Sequence, residues 1–458
     1  MNRFLIYIAL LLSLTACRTD DYIVYMEEEE TGSDIPRSDI QGMYVLCEGN
    51  MGSNKCTLDY LDLSGSTARY LRNIYAERNP NEIKELGDVG NDIQVYGSRL
   101  WMVINCSNKV EVCRARDAVK IGKIDIPNCR SVTFHEGYAY VSSYVGPVAS
   151  GQEAPLGQVY KIDTLTLQVV AAQTVGYQPE EMAVVGGKLY VANSGGYLAP
   201  DYDHRVSVLD LETFTMERDI EVAPNLHRCR ADRYGQLWVT SRGDDRGTAS
   251  KLYWLSPDAQ GQMQVAGSID TPVSDFCIVG DLLYYYGSGN NSLSMSTSAT
   301  SGIVNVKTRQ LVATTLSDAP EYHQIKQLYG IIVHPTNHDF YLMDAKDYVS
   351  SGELLHFLAD GMFDYKVRTG DIPAHACFVK EGSSSGGSDD TPVIDSRYLQ
   401  TVDEYVPAPG QFTNLLPAAT ADDTPATMVR KCTELLANGA GGMVTLGGWG
   451  GYLAFHFD

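Results

Sequence analysis

The chain has 458 residues, with 35 Lys and Arg against 57 Asp and Glu, for a formal net charge of −22. Such a charge repels a phosphate backbone, which excludes nucleic acid as an expected partner. The length allows one large β domain plus a smaller unit, and an apolar content of 44% is enough for a substantial core.

The N-terminus reads as an export signal. Arg3 supplies the positive charge, and Phe4 to Leu12 is an apolar run too short for a spanning helix. Leu14-Thr15-Ala16-Cys17 then reads as a bacterial lipobox. Residues 1–17 are therefore expected to be a lipoprotein signal peptide with Cys17 as the acylated residue. The alternative is a plain signal peptide with a chance cysteine. Multiple acyl chains on one cysteine would anchor the chain stably to a membrane. Residues 18–40 are polar and acidic, including Glu27 to Glu30, and read as a tether.

Ten cysteines less Cys17 leave nine, an odd number. Cys47 and Cys56 flank a short loop and are placed to pair across a hairpin. Cys129, Cys229, Cys277 and Cys377 fall near the starts of inner strands and read as buried free thiols. No zinc-type cysteine spacing appears, and neither a metal nor a cofactor is expected.

Residues 41–381 read as one repeated β architecture. The clearest unit is Gly186 to Gly195, in which a Gly-Gly turn feeds a strand ending in a polar loop. Its central aromatic recurs as Tyr44, Trp101, Tyr140, Tyr190, Trp238, Tyr284 and Tyr341, at intervals of 39 to 57 residues. Such a period marks a propeller, and these copies predict an all-β fold with seven blades. In the fourth blade the four strands are expected at Met182 to Val185, Lys188 to Asn193, Arg205 to Leu211 and Thr215 to Val222. No good inner strand precedes Gly42, whereas Ala374 to Lys380 is left over after the last blade. It is expected to complete blade 1, closing the ring with strands from both termini. Pro80 to Gly87 has room for a helical turn.

Residues 382–391 form a Gly/Ser linker. Residues 392–458 are a different, α+β segment. Thr424 is placed to cap a helix with Pro425 at its first position, and Met428, Cys432, Leu435 and Leu436 form its apolar stripe. Met443 to Leu446 and Tyr452 to Phe457 read as strands. So small a segment buries little core, and it is expected to be part of a larger domain.

In a propeller, the second-to-third-strand loops and the blade-to-blade connections share one face. That face receives the long loops here, and binding on a rigid scaffold concentrates in such loops. The candidate ligand-binding residues are Tyr144, Tyr197, Tyr202, Arg242, Tyr286, Asn290, Tyr322, His323, Tyr348 and His375. The inner strands are expected to start with Asp92, Arg130, Glu181, Arg228, Asp275, His323 and His375, ringing the channel mouth. Rigid aromatics among amides and charges suit a large, amphipathic small-molecule ligand. No catalytic constellation stands out. His334 and His338 are four apart, but Pro335 and Asn337 make that stretch a turn. The enzyme alternative is a lactonase-type hydrolase with Glu181, Asn193 and Asp275 around a divalent metal. A glycan- or protein-binding adhesin is a further alternative.

The strands of the Lys188 to Asn193 type and turns of the Asp210 to Thr213 type resemble the YncE-like propellers. Together with the lipobox and the acidic start at Arg18 to Asp21, they resemble seven-bladed surface lipoproteins of Bacteroidetes, including the cobalamin-capturing BtuG-type propellers. The C-terminal segment resembles the opening of a β-sandwich domain of Bacteroides surface proteins. The resemblance implies an outer-membrane lipoprotein, exposed on the cell surface and held by its lipid anchor alone. It further implies capture of a corrinoid for a TonB-dependent transporter, without catalysis. The resemblance is architectural and assigns no site residue.

Overall fold

The computed structural model describes residues 26–35, 38–82, 86–146, 154–244, 246–288, 299–380, 401–406, 424–436, 444 and 452–456. Cys17, Asn290 and the Gly/Ser linker lie outside them. Seven antiparallel sheets form a seven-bladed β-propeller. Blade 4 has the strands Pro179–Val185, Lys188–Asn193, Arg205–Asp210 and Thr215–Glu221, innermost to outermost. The Gly-Gly turn works because Gly186 and Gly187 both hold positive φ, at 58° and 73°. Two such residues match the twist of the hairpin they join.

The repeating aromatic is the heart of each blade. Tyr44, Trp101, Tyr140, Tyr190, Trp238, Tyr284 and Tyr341 each lie on a second strand, and none is more than 5% exposed. The apolar side chains gather between adjacent blades. One wedge joins Tyr44 and Leu58 of blade 1 to Ile93 and Leu100 of blade 2. Another joins Met43 and Tyr70 of blade 1 to Tyr341 and Val367 of blade 7, across the seam of the ring. Stability therefore depends on the ring being closed, because a missing strand uncovers a wedge on either side.

Closure uses both ends of the domain. Pro373–Lys380 is the innermost strand of blade 1 and pairs antiparallel with Ile40–Cys47, in the register Tyr44 to Cys377. A fifth strand departs from the sequence expectation. Glu27–Asp34, read as part of an acidic tether, pairs with Thr67–Arg72 on the outside of blade 1. Its carboxylates face cations, Glu28 reaching Arg69 at 3.1 Å and Glu27 contacting Arg72. Cross-strand charge pairing thus gives a strand to a sequence whose composition argues against one.

One local expectation is also corrected. Cys47 lies opposite Thr57 in the ladder, so Cys56 falls one position beyond and on the other side of the pleat. Both thiols are free and buried, and Cys47 Sγ points to Asp59 Oδ2 at 3.6 Å. A helical turn between blades 1 and 2 is found at Ile74–Arg78, with Ile74 and Tyr75 buried against the sheet, while the expected one at Pro80 to Gly87 falls partly outside the described residues.

In the C-terminal segment, Thr401–Val406 pairs with Tyr452–His456. The helix Pro425–Leu436 begins where its cap predicts, with Thr424 Oγ1 accepting from Thr427 N at 3.2 Å. Met428 and Cys432 are buried, with Val429, Leu436, Val444 and Leu453 packed around them.

Candidate functional site

Every inner strand enters from the face that carries the long connections, and most do so through an irregularity. The ladder shifts between Gly90 and Asp92, between Val141 and Ser143 opposite Arg130, between Pro179 and Met182, between Leu226 and Cys229, and between Leu328 and Gly330. A bulge frees consecutive residues from strict alternation and re-aims them. Blade 4 illustrates the result, because Glu180 and Glu181 both reach charged partners.

Glu180 is the hub of the first cluster. Its Oε1 accepts from Tyr144 OH at 2.6 Å and Ser194 Oγ at 3.3 Å, while its Oε2 accepts from Arg130 at 3.1 Å. Arg130 also lies over the Tyr144 ring, 4.9 Å from its centroid, and donates to Asn91 Oδ1. Arg242 approaches Glu180 at 3.6 Å. Burial opposes ionisation of Glu180, but Arg130, Arg242 and the Tyr144 hydroxyl outweigh it and hold its pKa below the usual carboxylate value. Burial in turn raises the Tyr144 phenol, keeping it a neutral donor.

The second cluster continues around the mouth. Arg230 bonds Glu181 at 2.8 Å and Asp275 at 3.0 Å, and Arg228 reaches Asp275 at 3.0 Å. His227 adjoins them. Burial, with Arg242, Arg228, Arg130 and Arg230 nearby, pushes its pKa well below the ordinary value, so it is neutral at pH 7. A third cluster closes the circle near the seam, where Glu48 accepts from Tyr329 OH at 3.2 Å and lies 3.2 Å from His375 Nε2. Tyr348 stands edge-on to Tyr329, with ring centroids 5.5 Å apart.

The expected site residues separate into groups. Tyr144, Tyr197 and Arg242 come together over blades 3 to 5, where Tyr197 meets Tyr144 edge-on at 6.4 Å. Tyr202 is half-buried in the same blade 4 loop. That loop is tightly drawn: Gly195 has φ of 55°, and a Cβ there would lie 2.3 Å from Asp203 N. Tyr286 is buried at the end of the second strand of blade 6, opposite Asp275. Tyr348 and His375 belong to the seam cluster. Tyr322 and His323 do not belong to the mouth. The inner strand of blade 7 begins at Leu328, so Tyr329 takes the position assigned to His323. Tyr322 instead packs edge-on to Phe357 and donates to Ser301 Oγ, while His323 is exposed on the short 3-10 helix Tyr322–Gln324.

Glu180, Glu48, Tyr329, His227 and Gln178 escaped the sequence reading. Pro179-Glu180-Glu181 did carry a signal, since two adjacent carboxylates at a strand start fit a bulge. The trio Glu181, Asn193 and Asp275 does not converge. Asn193 is buried and donates to Arg205 O and Ser207 Oγ, while both carboxylates are engaged by arginines.

No protein-family model and no curated protein matches this chain. Solved structures do. A Kuenenia stuttgartiensis hydrazine synthase chain is 15% identical, with 65% of this chain and 94% of that chain covered and a TM-score of 0.50. A Bacteroides fragilis protein provisionally assigned as a 6-phosphogluconolactonase is 12% identical, with 75% and 100% covered and a TM-score of 0.50. A quinonprotein alcohol dehydrogenase-like protein of Bacteroides thetaiotaomicron is 12% identical, with 75% and 79% covered and a TM-score of 0.48. At such identities the likeness is one of fold, and the propeller is common ground among proteins with different chemistries.

Proposed function

We propose that this protein is a binding protein that captures a polar, amphipathic small molecule on the channel-mouth face. The observation that carries the reading is the pairing of exposed aromatics with fixed charges. Tyr197 and Tyr348 are each 39% exposed, Tyr197 packed on Tyr144 beside the Arg130–Glu180 pair and Tyr348 on Tyr329 beside Glu48 and His375, whose side chains are largely buried. Such a surface needs little reorganisation on binding, which keeps the entropic cost low. By resemblance, the ligand is a corrinoid, the chain is anchored on the outer membrane through Cys17, and a TonB-dependent transporter receives the cargo.

Calorimetry and thermal denaturation with cyanocobalamin test this reading. A saturating 1:1 heat is expected. At ligand about 100-fold above Kd, the folded state gains about 2.7 kcal/mol. Tyr197→Ala should weaken binding about tenfold or more, the cost of losing an aromatic anchor. Absence of heat and of stabilisation at 100-fold above micromolar ligand would remove the corrinoid.

A lactonase-type reading is compatible with the fold shared with the Bacteroides fragilis protein. It is the weaker one, because Glu181 and Asp275 are committed to Arg228 and Arg230.

A further inference from the structure

We infer that the arc over blades 3 to 5 holds an anionic group of the ligand, a carboxylate or a phosphate, with Arg242 as its principal partner. The inference rests on the reading that this face binds a small molecule, and it adds the chemistry of the group that is held.

The first support is charge. Four guanidiniums, Arg130, Arg228, Arg230 and Arg242, gather over three directly paired carboxylates, Glu180, Glu181 and Asp275, with Glu48 and Asp92 farther round the mouth. That cluster of cations sits on a chain whose formal net charge is −22. Guanidiniums clustered at the mouth of a channel offer an anion several charge-assisted donors at once.

The second support is how the cations are used. Arg130 is held by Glu180, Asn91 and the Tyr144 face. Arg230 bridges Glu181 and Asp275. Arg242 is different. Among the described residues the carboxylate it approaches is Glu180 at 3.6 Å, beyond good hydrogen-bond length, and its side chain is 42% exposed. It therefore has donors to offer, and a guanidinium matches a carboxylate or phosphate two bonds at a time.

The third support is unmet donors. Gln178 is 1% exposed. Its Oε1 is fixed by Tyr197 N at 2.8 Å, which turns its Nε2 elsewhere, and that nitrogen is buried without a partner. Arg228 Nε is likewise buried and unpartnered. A buried donor without an acceptor is costly, so an acceptor is what the site wants. Gln178 belongs to the same network as Arg242, because Ser194 Oγ touches both Gln178 O and Glu180 Oε1. Asn225 Oδ1, an acceptor, is also unpartnered in this arc, and Asn225 O receives Arg242 N. A hydroxyl or amide beside the anionic head would meet it.

The test uses the whole protein with inorganic phosphate and, separately, succinate. Phosphate is followed by the broadening of its phosphorus resonance and succinate by calorimetry. Saturable binding is expected, weakened about tenfold in Arg242→Gln, the usual loss for one charge-assisted contact. Arg242→Lys should retain an intermediate affinity. Arg116→Gln, which removes an exposed arginine on the third-to-fourth-strand hairpin of blade 2, should bind as the parent does. Gln178→Leu should also weaken binding, with circular dichroism confirming its fold. Preference for one anion over the other assigns the head group. No saturable binding of either anion, or equal loss in Arg242→Gln and Arg116→Gln, overturns the inference. If cyanocobalamin still binds in a Tyr197-dependent way under that result, the binding face stands and only its anion subsite falls. If the anion binds through Arg242 while cyanocobalamin does not bind, the subsite stands and the corrinoid falls.

Discussion

Asp59 shows how one side chain holds the ring at its seam. It is fully buried in the third strand of blade 1. Its Oδ1 accepts from Asn73 N at 2.8 Å, and its Oδ2 accepts from Tyr70 OH at 3.0 Å and Gly370 N at 2.9 Å. Gly370 lies on the outer strand of blade 7, so the carboxylate ties the first blade to the last. Asp59→Ala leaves three N–H and O–H donors, and the weaker Cys47 thiol, without an acceptor in a site closed to water. The expected cost is about 3 kcal/mol or more, read as a lower urea midpoint at unchanged slope. An unchanged midpoint would show that the three donors find other partners. Sequence alone did not single out Asp59. Thr57-Leu58-Asp59-Tyr60-Leu61-Asp62 alternates as an ordinary strand, and the backbone donors that meet Asp59 come from 14 and 311 residues away. Glu180 escaped for a related reason, since strict alternation can assign only one of two adjacent glutamates to the mouth.

At the scale of the element, the strand that repeats was legible and the strand that does not was hidden. Lys188–Asn193 occupies the range expected from its Gly-Gly turn and aromatic centre. Pro373–Lys380 was legible by elimination, since blade 1 lacked an inner strand. Glu27–Asp34 was not, because its pairing depends on Arg69 and Arg72 some 40 residues later. The two strands should differ sharply in importance. A chain ending at residue 372 loses the innermost strand of blade 1, which buries Ala374 and Val379 and covers Tyr44 and Leu46. It should lose cooperative unfolding and accumulate as aggregate, while a chain ending at residue 381 remains folded. A chain beginning at Ile35 loses only an outer strand whose ion pairs are surface contacts. Its destabilisation should stay below about 2 kcal/mol. Differential scanning calorimetry of the three chains checks the ordering, and equal transitions for the chains ending at 372 and 381 would refute the closing role of Pro373–Lys380.

At the scale of the whole molecule, acid stability depends on histidines placed far apart in the ring. His227 lies at the mouth among four arginines, while His334 and His356 lie on the opposite face of blade 7. Burial lowers the pKa of each, despite Asp339 and Asp364 beside His356 and Asp339 near His334. The sign follows from linkage. An unfolded histidine takes up its proton near pH 6.5, whereas these folded ones resist until lower pH. The unfolded chain therefore binds more protons as pH falls below about 6.5, and folding weakens through that window. Each histidine contributes at most about 1.4 kcal/mol per pH unit. The carboxylates held down by partners, such as Glu180 and Glu353, act in the same sense but only near and below pH 4.5, after the histidine window has opened. Asp59 works the other way, since burial raises its pKa and the folded state then takes up the proton first. One such group set against three histidines leaves the net slope toward instability in acid. Urea titrations at pH 7.5 and 5.5 should give lower stability at pH 5.5. His227→Asn should reduce the difference between the two pH values, because it removes the histidine most strongly surrounded by cations. Equal stability at both pH values would mean that the folded protein protonates these histidines as readily as the unfolded chain, which their burial forbids.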